Sequence, residues 1–357
     1  MNATISNPLT RERAATLAAR LASWLEGGGV QSPDGAFCAW REERGGALAF
    51  EYPEITGYAL TWLAAQPELD AEAREAGLRA GRWLLERIKA NAISAHVDYD
   101  GSAVYTFDLG MIAAGLISFG RRVQEPSLLG RGEQVARHLG SLFLEDPLPP
   151  AIDPRGPASS REITWSNASH PHLSKCVQSL ILTEQWAAAE KLMAHAASFQ
   201  RPDGYFLTQP REDLVMLHPH LYTVEAMWMW GTARGEQDPL DRARRATEWT
   251  WLHQLPEGGL PRLVNLDAER EQAVEQLDVT SQAIRAALLT GAEVHGLERA
   301  VERLCAVACN VGEAAALPYQ PSAPEAHLNA WVSMFGAQAL QLASRAGQPL
   351  LQWHELV

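Results

Sequence analysis

The feature that most constrains the fold is an internal repeat: two kinds of helical segment alternate along nearly the whole chain, six of each. Segments of the first kind, at 10–26, 71–90, 130–145, 184–199, 239–255 and 296–312, carry apolar residues on one face and charged residues on the other, as in TRERAATLAARLASWLE. That pattern suits a helix with one side in solvent. Segments of the second kind begin near residues 53, 107, 171, 219, 277 and 326 and are apolar and small nearly all round, as in FDLGMIAAGLISF. Helices of that composition bury most of their faces. Outer and inner helices therefore pair as six hairpins at a repeat of roughly 50 to 65 residues, and that count predicts a closed ring rather than an open solenoid.

The loops keep the same register. A polar turn follows the first, fourth and fifth outer segments: SPDGAF at 32–37, QRPDGYF at 200–206 and QLPEGGLPR at 254–262. In each, Asp-Gly or Glu-Gly makes the tight turn and an apolar residue returns to the core. The connection at 146–169, DPLPPAIDPRGPASSREITWSNAS, is long and rich in Pro and Ser, which marks it as a candidate lid. All 357 residues are expected to form one domain, 1–357, since 46% hydrophobic residues supply a large core.

A formal charge of −13 disfavours nucleic acid and anionic membrane as partners, because either calls for a basic stripe. The first residues, MNATISNPLTRERAATLAARLASWLEGG, lack the apolar core of a signal peptide, and no run approaches the roughly 20 apolar residues that span a bilayer. A cytoplasmic location is expected. Of Cys38, Cys176, Cys305 and Cys309, the last two alone are spaced to meet on a helix face. In AVERLCAVACNVG they read as small buried side chains rather than half a metal site. There is no phosphate-binding loop, no Gly-x-Gly-x-x-Gly after a strand, no Gly-x-Ser-x-Gly elbow and no His-Glu-x-x-His, so no cofactor is implied. The oligomeric state is left open.

The hairpin rhythm with its Gln-x-x-Asp-Gly-x-Phe turn resembles the α/α toroid superfamily, which includes squalene-cyclase and prenyltransferase repeats, N-acylglucosamine epimerases and unsaturated-glucuronyl hydrolases. The run Tyr52-Pro53-Glu54-Ile55-Thr56-Gly57-Tyr58 also resembles a motif of bacterial toroid proteins associated with polysaccharide and natural-product gene clusters. The resemblance implies an all-α, (α/α)6 toroid whose site lies in a central bowl, at the N-terminal ends of the inner helices. Departures matter too. Asp98-Tyr99-Asp100-Gly101 lacks the final Asp of the Asp-x-Asp-Asp motif of protonating cyclases, so Asp98 and Asp100 read as turn formers. Neither the cysteine and histidine pairs of lanthionine cyclases nor an Asp-Cys pair leading an inner segment is present, and no metal is expected.

Aligned on their starts, the inner segments place an ionisable residue before an aliphatic one six times: Glu54-Ile55, Asp108-Leu109, His172-Leu173, His220-Leu221, Asp278-Val279 and His327-Leu328. Pro53, Pro171 and Pro219 precede three of them, as expected for a first helical position. A ring aims all six helix N-termini at one bowl, where their dipoles favour carboxylates and neutral imidazoles. Glu54, Asp108, His172, His220 and Asp278 form the candidate proton-transfer set. Tyr58, Tyr105, Arg161, Trp165, His170, His218, Tyr222 and His327 are candidate binding residues. The plainer reading is that acids in first turns merely help helices start, and that the twice-repeated His-Pro-His-Leu reflects shared ancestry of the repeats.

The set points first to an acid/base enzyme acting on a sugar or polysaccharide, by hydrolysis, elimination or epimerisation. A cyclase acting on an isoprenoid or other natural-product intermediate is the alternative, marked by aromatic walls around one isolated acid. The third reading is a non-catalytic binding or scaffold protein, marked by ionisable groups sealed against one another.

Overall fold

Capping residues set where the hairpins begin. In the computed structural model, which describes residues 5–42, 46–89, 104–152, 166–209, 213–267, 274–322, 327–345 and 351–357, Asn7 caps the first helix by accepting the Leu9 N–H at 3.0 Å, with Pro8 in the first turn. The outer helices are α1 (Pro8–Glu26), α3 (Ala71–Lys89), α5 (Pro126–Phe143), α7 (Trp186–Ala197), α9 (Gln237–Trp251) and α11 (Leu297–Val307). The inner ones are α2 (Pro53–Ala64), α4 (Thr106–Val123), α6 (Val177–Leu182), α8 (Leu217–Arg234), α10 (Leu277–Thr290) and α12 (Ala330–Ser344). A 3₁₀ turn, Pro171–Cys176, leads into α6. Inner helices bury nearly every residue, and outer ones bury only the stripe turned inward.

The ring closes because α12 packs against both α10 and α2, while α1 packs on α12 and α11. Short antiparallel ladders tie the bowl-side loops of neighbouring hairpins: β1 (Trp40–Glu42) with β8 (His327–Asn329), β2 (Val104–Tyr105) with β3 (Ala151–Ile152), and β4 (Leu214–Met216) with β5 (Leu263–Asn265). β6 (Cys309–Val311) pairs with β7 (Ala314–Ala316). This corrects the sixth outer segment: the helix stops at Val307, so Cys305 lies on α11 and Cys309 on a strand, and the two share no helix face. Among the described residues, no helix is long and apolar enough to cross a membrane.

The repeated turn is a clamp between hairpins. Gln31, Gln200 and Gln254 each donate an amide N–H to the turn glycine, Gly35, Gly204 or Gly258, and to a carbonyl of the next outer helix or, for Gln254, of Gly296 at its N-cap, at 2.7–3.1 Å. The turn glycines take φ of +106°, +106° and +104°, and a Cβ there would meet the carbonyl oxygen of Arg79, Arg245 or Arg299 within 3 Å. Only glycine fits such a turn without strain. One step on, a backbone N–H of the returning strand is caught by a first-turn side chain of the inner helix. Phe37 donates to Thr56 Oγ1, Leu260 to Thr280 Oγ1, Leu317 to Ser333 Oγ and Phe206 to His220 Nδ1, at 2.9–3.1 Å. Gly57 has a different use: a Cβ there would strike the backbone of Met111 and Ile112, so α2 and α4 approach more closely than side chains allow.

Down the axis the inner helices present positions i, i+4 and i+7, the spacing that keeps side chains on one helix face. Glu54, His218, Asp278 and Trp331 occupy the upper level. Tyr58, Tyr222 and Phe335 form an aromatic level beneath, with Tyr58 stacked on Tyr222 at 6.5 Å between centroids. Below that, Glu225 accepts from Lys175 Nζ at 2.8 Å and from the Arg285 guanidinium, all three almost fully buried. Gln338 joins Arg285 at 3.0 Å, and the segment 351–357 closes the far end, its Val357 carbonyl accepting from Arg285 at 2.8 Å and from Lys175 at 3.2 Å.

Candidate active site

The bowl holds a cavity of about 460 Å³, within the range of roughly 300–1,000 Å³ usual for small-molecule sites. Ionisable side chains reach it from four inner helices, one turn and one strand: Glu54 from α2, Asp108 from α4, His218 from α8, Asp278 from α10, His172 from the 3₁₀ turn and His327 from β8. Aromatic faces fill the spaces between them, among them Trp40, Tyr52, Phe107, Tyr222, Tyr319 and Trp331. A second hollow of about 530 Å³ opens on the outside of the ring over Met193, Met227 and Trp230. Its charges are ordinary surface pairs, such as Arg242 with Asp238 at 2.7 Å, so the bowl is the candidate site.

Two pairs dominate the bowl. Glu54 and Asp108 are neighbours on adjacent helices, 4% and 5% exposed. Burial, reinforced for Glu54 by the Asp108 charge, holds Glu54 well above the usual carboxylate range, and burial pushes Asp108 up to about 7. Two buried carboxyls so placed cannot both ionise at low cost, which favours the protonated form of at least one of them. Trp331 Nε1 donates to Glu54 at 3.2 Å, and the Tyr52 hydroxyl partly offsets the effect of burial on Asp108. On the other side, His218 Nδ1 lies 3.0 Å from Asp278 Oδ2, and Asp278 Oδ1 is fixed by the Val279 N–H at 2.8 Å. In ring order α2 and α4 stand across the axis from α8 and α10, with α6 on one flank and α12 on the other. A carboxyl pair raised by burial thus faces a histidine–carboxylate pair across one cavity.

His172 also lines the cavity, with burial pushing its imidazole down to about 3, so it is neutral. His327 stacks on Trp40 at 4.7 Å with the rings 7° from parallel, on the ladder that closes the ring. Tyr105 and Tyr222 line the cavity, whereas Tyr58 lies in the aromatic level below it. His170 turns toward the outer layer, its Nδ1 2.9 Å from the Thr208 carbonyl and its ring against Phe199. Arg161 and Trp165, with residues 153–165 of the candidate lid and the turn at Asp98 and Asp100, lie outside the described residues.

His220 requires a correction. It is fully buried away from the bowl: Nδ1 accepts the Phe206 N–H, and Nε2 lies 3.0 Å from Thr250 Oγ1 and 3.2 Å from the Ala246 carbonyl. It occupies the register of Thr56 and Thr280, and His218 takes the bowl position. The cause is that α8 begins at Leu217, so Pro219 is its third residue rather than its first. Proline is tolerated anywhere in that turn, where N–H groups have no acceptor within the helix. His220→Ala is therefore expected to lower stability by about 1–3 kcal/mol through the stranded Phe206 N–H, read from urea unfolding, while leaving ligand binding in the bowl intact. A similar slip affects α12, which begins at Ala330. His327 precedes it on a strand, and Trp331 holds the helix position facing Glu54. Sequence reasoning passed over Trp331, Tyr52, Phe107 and Tyr319, since aromatic residues in apolar runs carry no signal separating lining from packing.

Among the described residues, no group of three or more His, Cys, Asp or Glu is arranged to hold a metal ion. No family model and no curated protein matches the chain by sequence. Solved structures do match in shape. A sugar epimerase from a ruminal bacterium superposes with a TM-score of 0.72 at 12% identity, covering 96% of this chain and 100% of its own. A D-mannose isomerase gives 0.70 at 11%, covering 94% and 100%. The unsaturated glucuronyl hydrolase of Bacillus sp. GL1 gives 0.68 at 14%, covering 97% and 98%. The chain has the six-hairpin α/α toroid fold of these enzymes.

Proposed function

We propose that this protein is an acid/base enzyme acting on a small sugar in the bowl of the toroid. The observation that carries the reading is the facing arrangement of the Glu54–Asp108 pair and the His218–Asp278 pair in one cavity. Glu54, raised by burial and by the Asp108 charge, carries a proton and serves as general acid. His218, oriented by Asp278, serves as general base. His172, neutral, and His327 on Trp40 hold hydroxyls, and Trp331 and Tyr222 present ring faces to the apolar side of a sugar. The structural neighbours named as sugar epimerase and mannose isomerase support proton transfer at a sugar carbon as the first reaction to test. Aromatic walls alone would suit a cyclase, but facing ionisable groups on both sides of the axis favour the sugar.

The test is incubation with a panel of neutral mono- and disaccharides in D₂O, followed by NMR. Solvent deuterium at a sugar carbon, or a new epimer or ketose, supports the reading. A panel left unchanged, with no binding by calorimetry, removes it. The pH profile carries a second expectation. The acid works only while Glu54 keeps its proton, so kcat falls on the alkaline side, at a pH above the usual carboxylate range. A rate that climbs steadily from pH 6 to about 9 would exclude this pair as the acid.

A further inference from the structure

The cavity is strongly biased in charge. Three of its side chains are carboxyls buried beyond nine-tenths, Glu54, Asp108 and Asp278, and the cavity lining among the described residues contains neither lysine nor arginine. The nearest buried cations, Lys175 and Arg285, lie beneath the aromatic level and are committed to Glu225. Asp278 is engaged by His218 and the Val279 N–H, and Glu54 by Trp331. Asp108 differs: its Oδ2 is buried at the cavity wall with no hydrogen-bond partner. A buried carboxylate oxygen left in that state calls for a donor, and the cavity is where the donor must come from. Phe107 and Tyr222 flank the approach, 5.0 Å apart between centroids, and their faces attract positive charge and repel negative.

We infer that the sugar presents a hydrogen-bond donor, a hydroxyl or a protonated amine, to Asp108 Oδ2, and that it carries no carboxylate or phosphate. The inference rests on the sugar reading above and narrows it. An anionic group in this bowl would face like charges in a site of low dielectric, which discriminates strongly against the wrong partner. A hydroxyl donor satisfies the orphaned oxygen, and an amine also neutralises its charge.

The experiment is calorimetric titration of the full chain with four matched probes, glucose, glucosamine, glucuronate and glucose 6-phosphate, and with the same series built on mannose. Asp108→Asn is titrated beside the wild type after its melting temperature shows that it folds. In the wild type, at least one neutral or amino sugar is expected to bind about tenfold or more tightly than its uronate and phosphate counterparts. In Asp108→Asn that discrimination shrinks, because a charge has gone from the wall while the shape is kept. Uronate or phosphate binding as tightly as the neutral sugar overturns the inference and leaves the sugar reading standing. So does unchanged discrimination in Asp108→Asn. If no probe of either charge binds, the sugar reading falls and the inference with it.

Discussion

Glu225→Gln is expected to destabilise the protein by about 3–5 kcal/mol, the usual cost of breaking a buried ion pair from one side. Glu225 is the anion between Lys175 and Arg285 in the level beneath the aromatic floor, and all three side chains are at most 1% exposed. Glutamine keeps the shape and removes the charge. The two cations do not then suffer equally. Burial already pushes Lys175 down to about 8, so it can shed its proton, whereas a guanidinium stays charged. Arg285 would retain the Gln338 and Val357 oxygens and lose the Glu225 carboxylate. Guanidinium unfolding measures the loss. The triple replacement Glu225→Gln, Lys175→Met, Arg285→Met should recover much of it, since apolar groups of similar volume often replace buried ions without penalty. A single variant within about 1 kcal/mol of wild type would mean that the cluster is not the charged network described.

The second large effect falls on turnover. His218→Asn should reduce kcat by about 10²–10⁴, the range lost with a general base, and leave the unfolding midpoint nearly unchanged, because the side chain is 17% exposed and lies in the bowl rather than the core. Asp278→Asn should lower kcat in the same direction: the amide still reaches the ring but no longer favours the imidazolium that forms when the base takes a proton. KM should move much less than kcat in both, since neither change empties the aromatic walls that hold the substrate. A His218→Asn enzyme within tenfold of wild type would return the role of base to His172 or His327, the other imidazoles on the cavity.

The alternation of amphipathic and apolar segments made the ring legible in the sequence, because burying one stripe or the whole circumference leaves different compositions. The conserved geometry of the turn could be read as well, since Asp34-Gly35, Asp203-Gly204 and Glu257-Gly258 name their own backbone conformation. The axial register was harder. Pro53 does begin α2, but Pro219 sits in the third position of α8, and a two-residue slip turns a side chain about 200° around the helix. That rotation separates His220, which ties down a loop, from His218, which meets Asp278. The buried cluster gave no sign of itself: Lys175 lies on the 3₁₀ turn, Glu225 on α8 and Arg285 on α10, and they pair only through the ring. Its acid is one charge amid VEAMWMW, and nothing local says that two cations will reach it.

The closing contacts have a consequence for how the protein comes into being. Glu54 and its Trp331 partner are 277 positions apart, and Thr10 and Glu302, which join α1 to α11, are 292 apart. Contacts of that span are slow to form, because a long loop loses its freedom before the contact rewards it. Early hairpins can pack as they leave the ribosome, but the first acid of the site waits for the last hairpin before it has a wall to stand against. A chain that lacks its last hairpin therefore already carries both reactive pairs but not the wall that encloses them, so the chemistry is withheld until the ring closes.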